Sequence, residues 1–119
     1  MISVGVDIIE VERIRAAVVR WEERFSKRVY TEDELELCKG DPSSLATRFA
    51  AKEAVMKVLG TGTNGIKWKE IEILRDGSGK PLVKLYGNAR TKLEELHMSE
   101  IAISVSDTRD YAVATAIGS

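Results

Sequence analysis

Cysteine is almost missing: Cys38 is the only one in 119 residues. That excludes an intrachain disulfide framework and a multi-cysteine zinc site, and points to a reducing, cytoplasmic setting. Histidine is as scarce, with His97 alone, so no histidine-based triad is assigned. Excess charge is missing too. Lys and Arg number 18 against 19 Asp and Glu, a net −1, and aromatics make up 6%. This excludes a generally basic nucleic-acid binder. No apolar run approaches the ~20 residues that span a bilayer. The opening Met1-Ile2-Ser3-Val4-Gly5-Val6-Asp7 has neither a basic leader nor a cleavage-site pattern, so no signal peptide is expected. What remains is 44% hydrophobic and 31% charged, an ordinary globule whose length fits one domain over 1–119.

From Ile2 to Ile9 the chain alternates, with Ile2, Val4, Val6 and Ile8 on one side and Ser3, Gly5 and Asp7 on the other, which predicts a strand. Val11, Ile14, Val18, Trp21 and Phe25 predict one helix from Val11 to Phe25. Thr31-Glu32-Asp33-Glu34 is a capping box opening a short helix through Cys38. Asp41 as N-cap and Pro42 at the first helical position open a long helix to Leu59, which Gly60 ends. Glu70 to Arg75 and Pro81 to Leu85 predict a hairpin around Asp76-Gly77-Ser78-Gly79. Asn88 is expected to cap a helix to Leu96, and Glu100–Ser106 with Tyr111–Ile117 form a second strand pair. The order β-α-α-α-β-β-α-β-β lacks regular βα alternation, so the fold class is α+β.

Three features resist a purely structural reading. Asp7 lies in an apolar strand, where an unpartnered carboxylate is costly; the ordinary alternative is a surface acid at a strand end. In the long helix Leu45, Ala46, Phe49, Ala50 and Met56 form a stripe that contains Glu53, with Lys57 one turn on. A solvated Glu53–Lys57 pair is the ordinary reading. Two acids on core-facing positions instead suggest one shared polar site, and paired carboxylates suit Mg²⁺. Third, Arg13, Arg20, Arg24 and Lys27 line one side of the first helix: a solvated face, or a surface for an acidic partner. Gly60-x-Gly62-x-x-Gly65 spells a dinucleotide fingerprint but follows a helix, the reverse of the required context. Cys38 reads as a small buried hydrophobe.

Taken in order, Gly5-Val6-Asp7-Ile8-Ile9-Glu10-Val11-Glu12-Arg13-Ile14, then Arg48-Phe49-Ala50-Ala51-Lys52-Glu53-Ala54-Val55-Met56-Lys57-Val58-Leu59-Gly60-Thr61-Gly62, then Gly79-Lys80-Pro81, then Ile103-Ser104-Val105-Ser106 and Tyr111-Ala112-Val113-Ala114 resemble the phosphopantetheinyl transferases. The likeness is to their short branch, the holo-acyl-carrier-protein synthases, and covers nearly the whole chain. It implies an antiparallel sheet packed against a long helix. It also implies a cytoplasmic enzyme that moves the 4′-phosphopantetheine arm of coenzyme A onto a serine of an acidic apo acyl carrier protein. Adenosine 3′,5′-bisphosphate is released, and the reaction supports fatty acid synthesis.

By the same resemblance Asp7 and Glu53 hold Mg²⁺. Lys57 assists deprotonation of the serine or stabilises the transferring phosphoryl group, the choice between them staying open. Arg48 and Lys52 are candidates for phosphate contacts, and Gly60, Gly62, Lys80 and Pro81 belong to the coenzyme site. Arg13, Arg20 and Arg24 dock the carrier. Ile9 stands where longer members carry a further acid, siding this chain with the short branch, whose members are trimers with coenzyme A between subunits. One departure is Asp107, where the family usually has a histidine near the 3′-phosphate; Thr108 or Arg109 is expected to supply the missing donor. The rival readings are another Mg²⁺-dependent phosphoryl or nucleotidyl enzyme, or a non-catalytic oligomeric module for an acidic protein. Neither nucleic acid nor membrane is an expected partner.

Overall fold

A computed structural model of the chain describes residues 1–60 and 65–119. Its elements are β1 (Ser3–Glu10), α1 (Val11–Trp21), α2 (Glu23–Val29), α3 (Glu32–Cys38), α4 (Pro42–Leu59), a 3₁₀ turn (Trp68–Glu70), β2 (Ile71–Arg75), β3 (Pro81–Leu85), α5 (Gly87–Glu95), β4 (Ile101–Asp107) and β5 (Tyr111–Gly118). Strands β1-β5-β4 form an antiparallel sheet and β2-β3 a separate hairpin. Helix α4 packs across β1 and β5, so the expected α+β arrangement of an antiparallel sheet on a long helix holds.

Local chemistry accounts for most boundaries. Thr31 accepts the Glu34 N–H while Glu34 accepts the Thr31 N–H, the reciprocal box that starts α3. Asp41 caps α4 through the Ser44 N–H with Pro42 in the first turn, and Gly60 ends it at φ 76°. The long helix is more deeply enclosed than one stripe predicts. Ala51, Lys52, Ala54, Val55, Val58 and Leu59 are buried along with Leu45, Ala46, Ala50 and Met56, because the sheet, α1 and the hairpin cover it from several sides. Its many alanines leave the room for that.

Two expectations are corrected. The helix predicted from Val11 to Phe25 breaks at Glu22, which adopts φ 48° between α1 and α2. The break turns Phe25 onto Phe49, at 6.2 Å between ring centroids, and Phe49 stacks on Trp68 at 4.8 Å. Asn88 does not cap α5: Tyr86 is the N-cap residue. The Asn88 side chain donates to the Gly65 carbonyl, and the Glu70 carboxylate accepts its backbone N–H. Strand β1 is seated by its smaller face. Its core side is the small-residue face, Ser3, Gly5, Asp7 and Ile9, while Val4, Val6 and Ile8 are 60%, 53% and 63% exposed. Register places Ile117, Thr115 and Val113 of β5 beside them, so the outer face of the sheet is largely apolar.

Candidate active site

The site begins with a missing side chain. A Cβ at Gly5 would overlap the Ala54 carbonyl oxygen and lie 2.9 Å from Lys57 Cβ, so only glycine lets β1 rest on the α4 backbone. Asp7, two residues along the same strand face, thereby meets the last turns of α4. Lys57 Nζ donates to the Val6 carbonyl at 2.7 Å and lies 3.4 Å from Asp7 Oδ1. The Asp7 side chain is only 15% exposed, that of Lys57 53%. Glu53, one turn before Lys57, is half-buried. Burial pushes its carboxyl pKa up and the Asp7 carboxylate pushes it further, against the opposing pull of Lys57 and Arg13. Asp7, Glu53 and Lys57 are therefore one electrostatic cluster with Arg13 at its rim.

A second group forms at the other end of α4. Arg48 Nε donates to the Ile73 carbonyl at 3.0 Å, and Arg48 lines a cleft of about 160 Å³ with Thr47, Gly79, Pro81 and Val105. Lys80 is exposed beside it on the turn whose amides Asp76 accepts. Asp107 is exposed two residues beyond Val105 on the same face of β4.

Other predicted residues lie elsewhere. Lys52 is corrected: it is fully buried, and its ammonium is used by Glu34 Oε1 at 2.8 Å and the carbonyls of Trp68 and Ile71. No donor is left for a phosphate. The Thr108 hydroxyl accepts the Tyr111 N–H inside the β4–β5 turn. Arg109 lines a hollow with Glu10, Glu12 and Arg15, on the α1 side rather than in the Arg48 cleft. Gly60 serves as the α4 C-cap, and Gly62 falls outside the described residues. Arg13, Arg20 and Arg24 are exposed, with Arg20 4.9 Å over the Trp21 ring. Arg24 shares a groove with Trp21, Phe25 and Arg28. Gly5 was not singled out by the sequence reading; a glycine on the same strand face as an isolated acid was its signal. Glu34 was read as a cap only, since nothing local in sequence links it to Lys52, eighteen positions away.

The family model of the 4′-phosphopantetheinyl transferase superfamily matches residues 3–116. The chain is 49% identical over 117 residues to the holo-[acyl-carrier-protein] synthase of Dehalococcoides mccartyi, covering 98% of each chain. It matches the solved structure of the Neisseria meningitidis holo-[acyl-carrier-protein] synthase with a TM-score of 0.89 at 38% identity, over 100% of this chain and 99% of that one. The Helicobacter pylori enzyme, solved in complex with coenzyme A, matches with a TM-score of 0.89 at 30% identity, over 98% and 99% of the two chains.

Proposed function

The chain belongs to the 4′-phosphopantetheinyl transferase superfamily and is an enzyme of the holo-acyl-carrier-protein synthase type; from that premise we propose how its own residues divide the work. The reaction transfers the 4′-phosphopantetheine arm of coenzyme A to a serine hydroxyl of apo acyl carrier protein and releases adenosine 3′,5′-bisphosphate. The observation that carries the assignment is the convergence of Asp7, Glu53 and Lys57 where Gly5 seats β1 on α4.

Burial first, and the neighbouring Asp7 carboxylate second, push the Glu53 pKa up, and a divalent cation would offset both. Hard oxygen donors with open sides fit Mg²⁺. Asp7 and Glu53 would hold Mg²⁺, which would neutralise pyrophosphate charge and stabilise the leaving group. Lys57, 3.4 Å from Asp7 Oδ1, presents a half-exposed ammonium toward the transferring phosphoryl group. Arg48, Lys80 and Pro81 border the cleft at the opposite end of α4 and take the nucleotide part of coenzyme A, with Asp107 at its margin. Arg13, Arg20 and Arg24 offer exposed charge on α1 and α2 to the acidic carrier.

Self-association into a trimer is part of the same proposal. What supports it is the apolar outer face of β1 and β5, with Val4, Val6, Ile8 and Ile117 each more than two-fifths exposed. Covering that face turns shallow clefts into shared ones. No helix among the described residues is long and apolar enough to cross a membrane.

The test is incubation with apo carrier protein, coenzyme A and Mg²⁺ followed by mass spectrometry of the carrier. Addition of ~340 Da, the mass of the transferred arm, is expected. An unchanged carrier mass with a folded enzyme refutes the reaction and favours a non-catalytic module or a different phosphoryl transfer.

A further inference from the structure

The buried pair Glu34–Lys52 has no place in the chemistry described so far, yet both side chains are completely inaccessible. Their partners explain what they touch. Pairing with β3 leaves the other edge of β2 with outward backbone groups that need partners. Lys52 donates to the Ile71 carbonyl. Glu34 Oε2 accepts the Ile73 N–H at 2.8 Å. Arg48, one helical turn before Lys52, donates to the Ile73 carbonyl at 3.0 Å. Three consecutive outward groups of β2 are thus held by side chains of α3 and α4, and one residue, Ile73, is gripped by Glu34 on its N–H and by Arg48 on its carbonyl.

We infer that Glu34 and Lys52 are positioning residues for Arg48: by clamping the outer edge of β2 they fix the Ile73 carbonyl, which in turn aims the Arg48 guanidinium into the coenzyme A cleft. Arg48 spends Nε on Ile73, and one terminal nitrogen contacts the Ser44 carbonyl at 3.4 Å. The guanidinium also reaches the Cys38 thiol; its half-exposed side lines the cleft and is the part offered to a phosphate, in a direction set by the bond to Ile73. The clamp also sets the cleft walls, since Pro81 lies opposite Arg75 on the same hairpin. Lys52 therefore governs coenzyme A affinity without touching the coenzyme. This rests on the proposed use of the cleft by coenzyme A.

The experiment compares Glu34→Gln, Lys52→Met and the double variant Glu34→Leu with Lys52→Met. The double variant removes both charges together, so neither is left buried alone as in a single variant, and the melting temperature reads the cost of the unpaired β2 backbone groups. The Arg48 Nε–H resonance is followed by NMR, together with KM for coenzyme A, KM for the carrier, kcat and melting temperature. The resonance is expected to shift in each folded variant, with KM for coenzyme A raised about tenfold, and kcat and carrier KM changed less than about twofold. The double variant is expected to be no worse than either single one, because all three break the same clamp. A lower melting temperature with unchanged KM for coenzyme A overturns the inference in favour of a merely structural pair. A raised KM in Lys52→Met with normal KM in Glu34→Gln overturns it in favour of direct contact. If the wild type neither binds nor uses coenzyme A, the functional reading fails on its own. The Arg48 resonance then still decides the clamp: unmoved, it overturns it.

Discussion

Gly5→Ala tests the packing on which the whole site depends. The added methyl would overlap the Ala54 carbonyl oxygen and crowd Lys57 Cβ at 2.9 Å. Ala54 lies inside α4, with its backbone fixed by the helix, so the obstacle is not the flexible end of a side chain. Restoring ordinary contact requires β1 and α4 to part by about 1 Å. Overpacking of this kind costs about 1–3 kcal/mol. For a chain of this length that is a fall in melting temperature of roughly 5–15 °C. The same displacement carries Asp7 away from Glu53 and Lys57, and a 1 Å misplacement at a reacting centre costs on the order of 10²-fold in rate. Thermal melting and the carrier mass-shift assay at saturating coenzyme A and Mg²⁺ measure the two effects. Gly77→Ala is the control, since a methyl there meets nothing within 4 Å; it should match the wild type. Wild-type melting and turnover in Gly5→Ala would refute the claim that direct strand-on-helix contact builds the site.

Asp7→Asn and Glu53→Gln are each expected to abolish Mg²⁺-dependent transfer, a loss of several kcal/mol of transition-state stabilisation, while circular dichroism stays native; near-normal rates at saturating Mg²⁺ would remove the metal assignment. Arg24→Glu should weaken carrier binding and blunt its salt dependence while leaving coenzyme A affinity unchanged, measured by calorimetry at two ionic strengths. Val6→Asp, placing a charge on the apolar outer face of β1, should lower the mass seen in analytical ultracentrifugation and reduce turnover with it; an unaltered assembly would show that this face is not the interface. Hydrogen bonds from Ser78 and the Lys80 amide hold the Asp76 carboxyl below its usual range. A depressed folded pKa supports the hairpin above the ordinary aspartate range and loses that support as pH falls through the folded value. Ser78 and Lys80 amide protection should therefore decline in acid for the wild type, and be low and pH-independent in Asp76→Ala.

Some of this protein is written locally. The Thr31–Glu34 box, the Asp41–Pro42 start and Gly60 end of α4, and the Asp76–Gly79 turn each depend on residues within four positions of one another, so they were legible at once. Asp7 and Glu53 were legible for a different reason: an acid on a core-facing position violates the pattern around it, and such violations mark sites. Family resemblance then supplied the reaction, which no periodicity contains.

The tertiary structure decided what depends on neighbours distant in the chain. Alternation in β1 showed two faces but not which one the core would take. The answer came from α4, whose close approach admits Gly5 and has no room for Val4, Val6 or Ile8. The continuous pattern from Val11 to Phe25 did not reveal the break at Glu22, because the stack of Phe25 on Phe49 and Trp68 forms only when α2 turns toward the core. Arg48 and Lys52, equal as cations in the sequence, were given separate tasks by the edge of β2. Lys52 is sealed against Glu34, and Arg48 keeps one side open to the cleft. A lone charge carries no address; burial and the acceptors within 3 Å of it assign one.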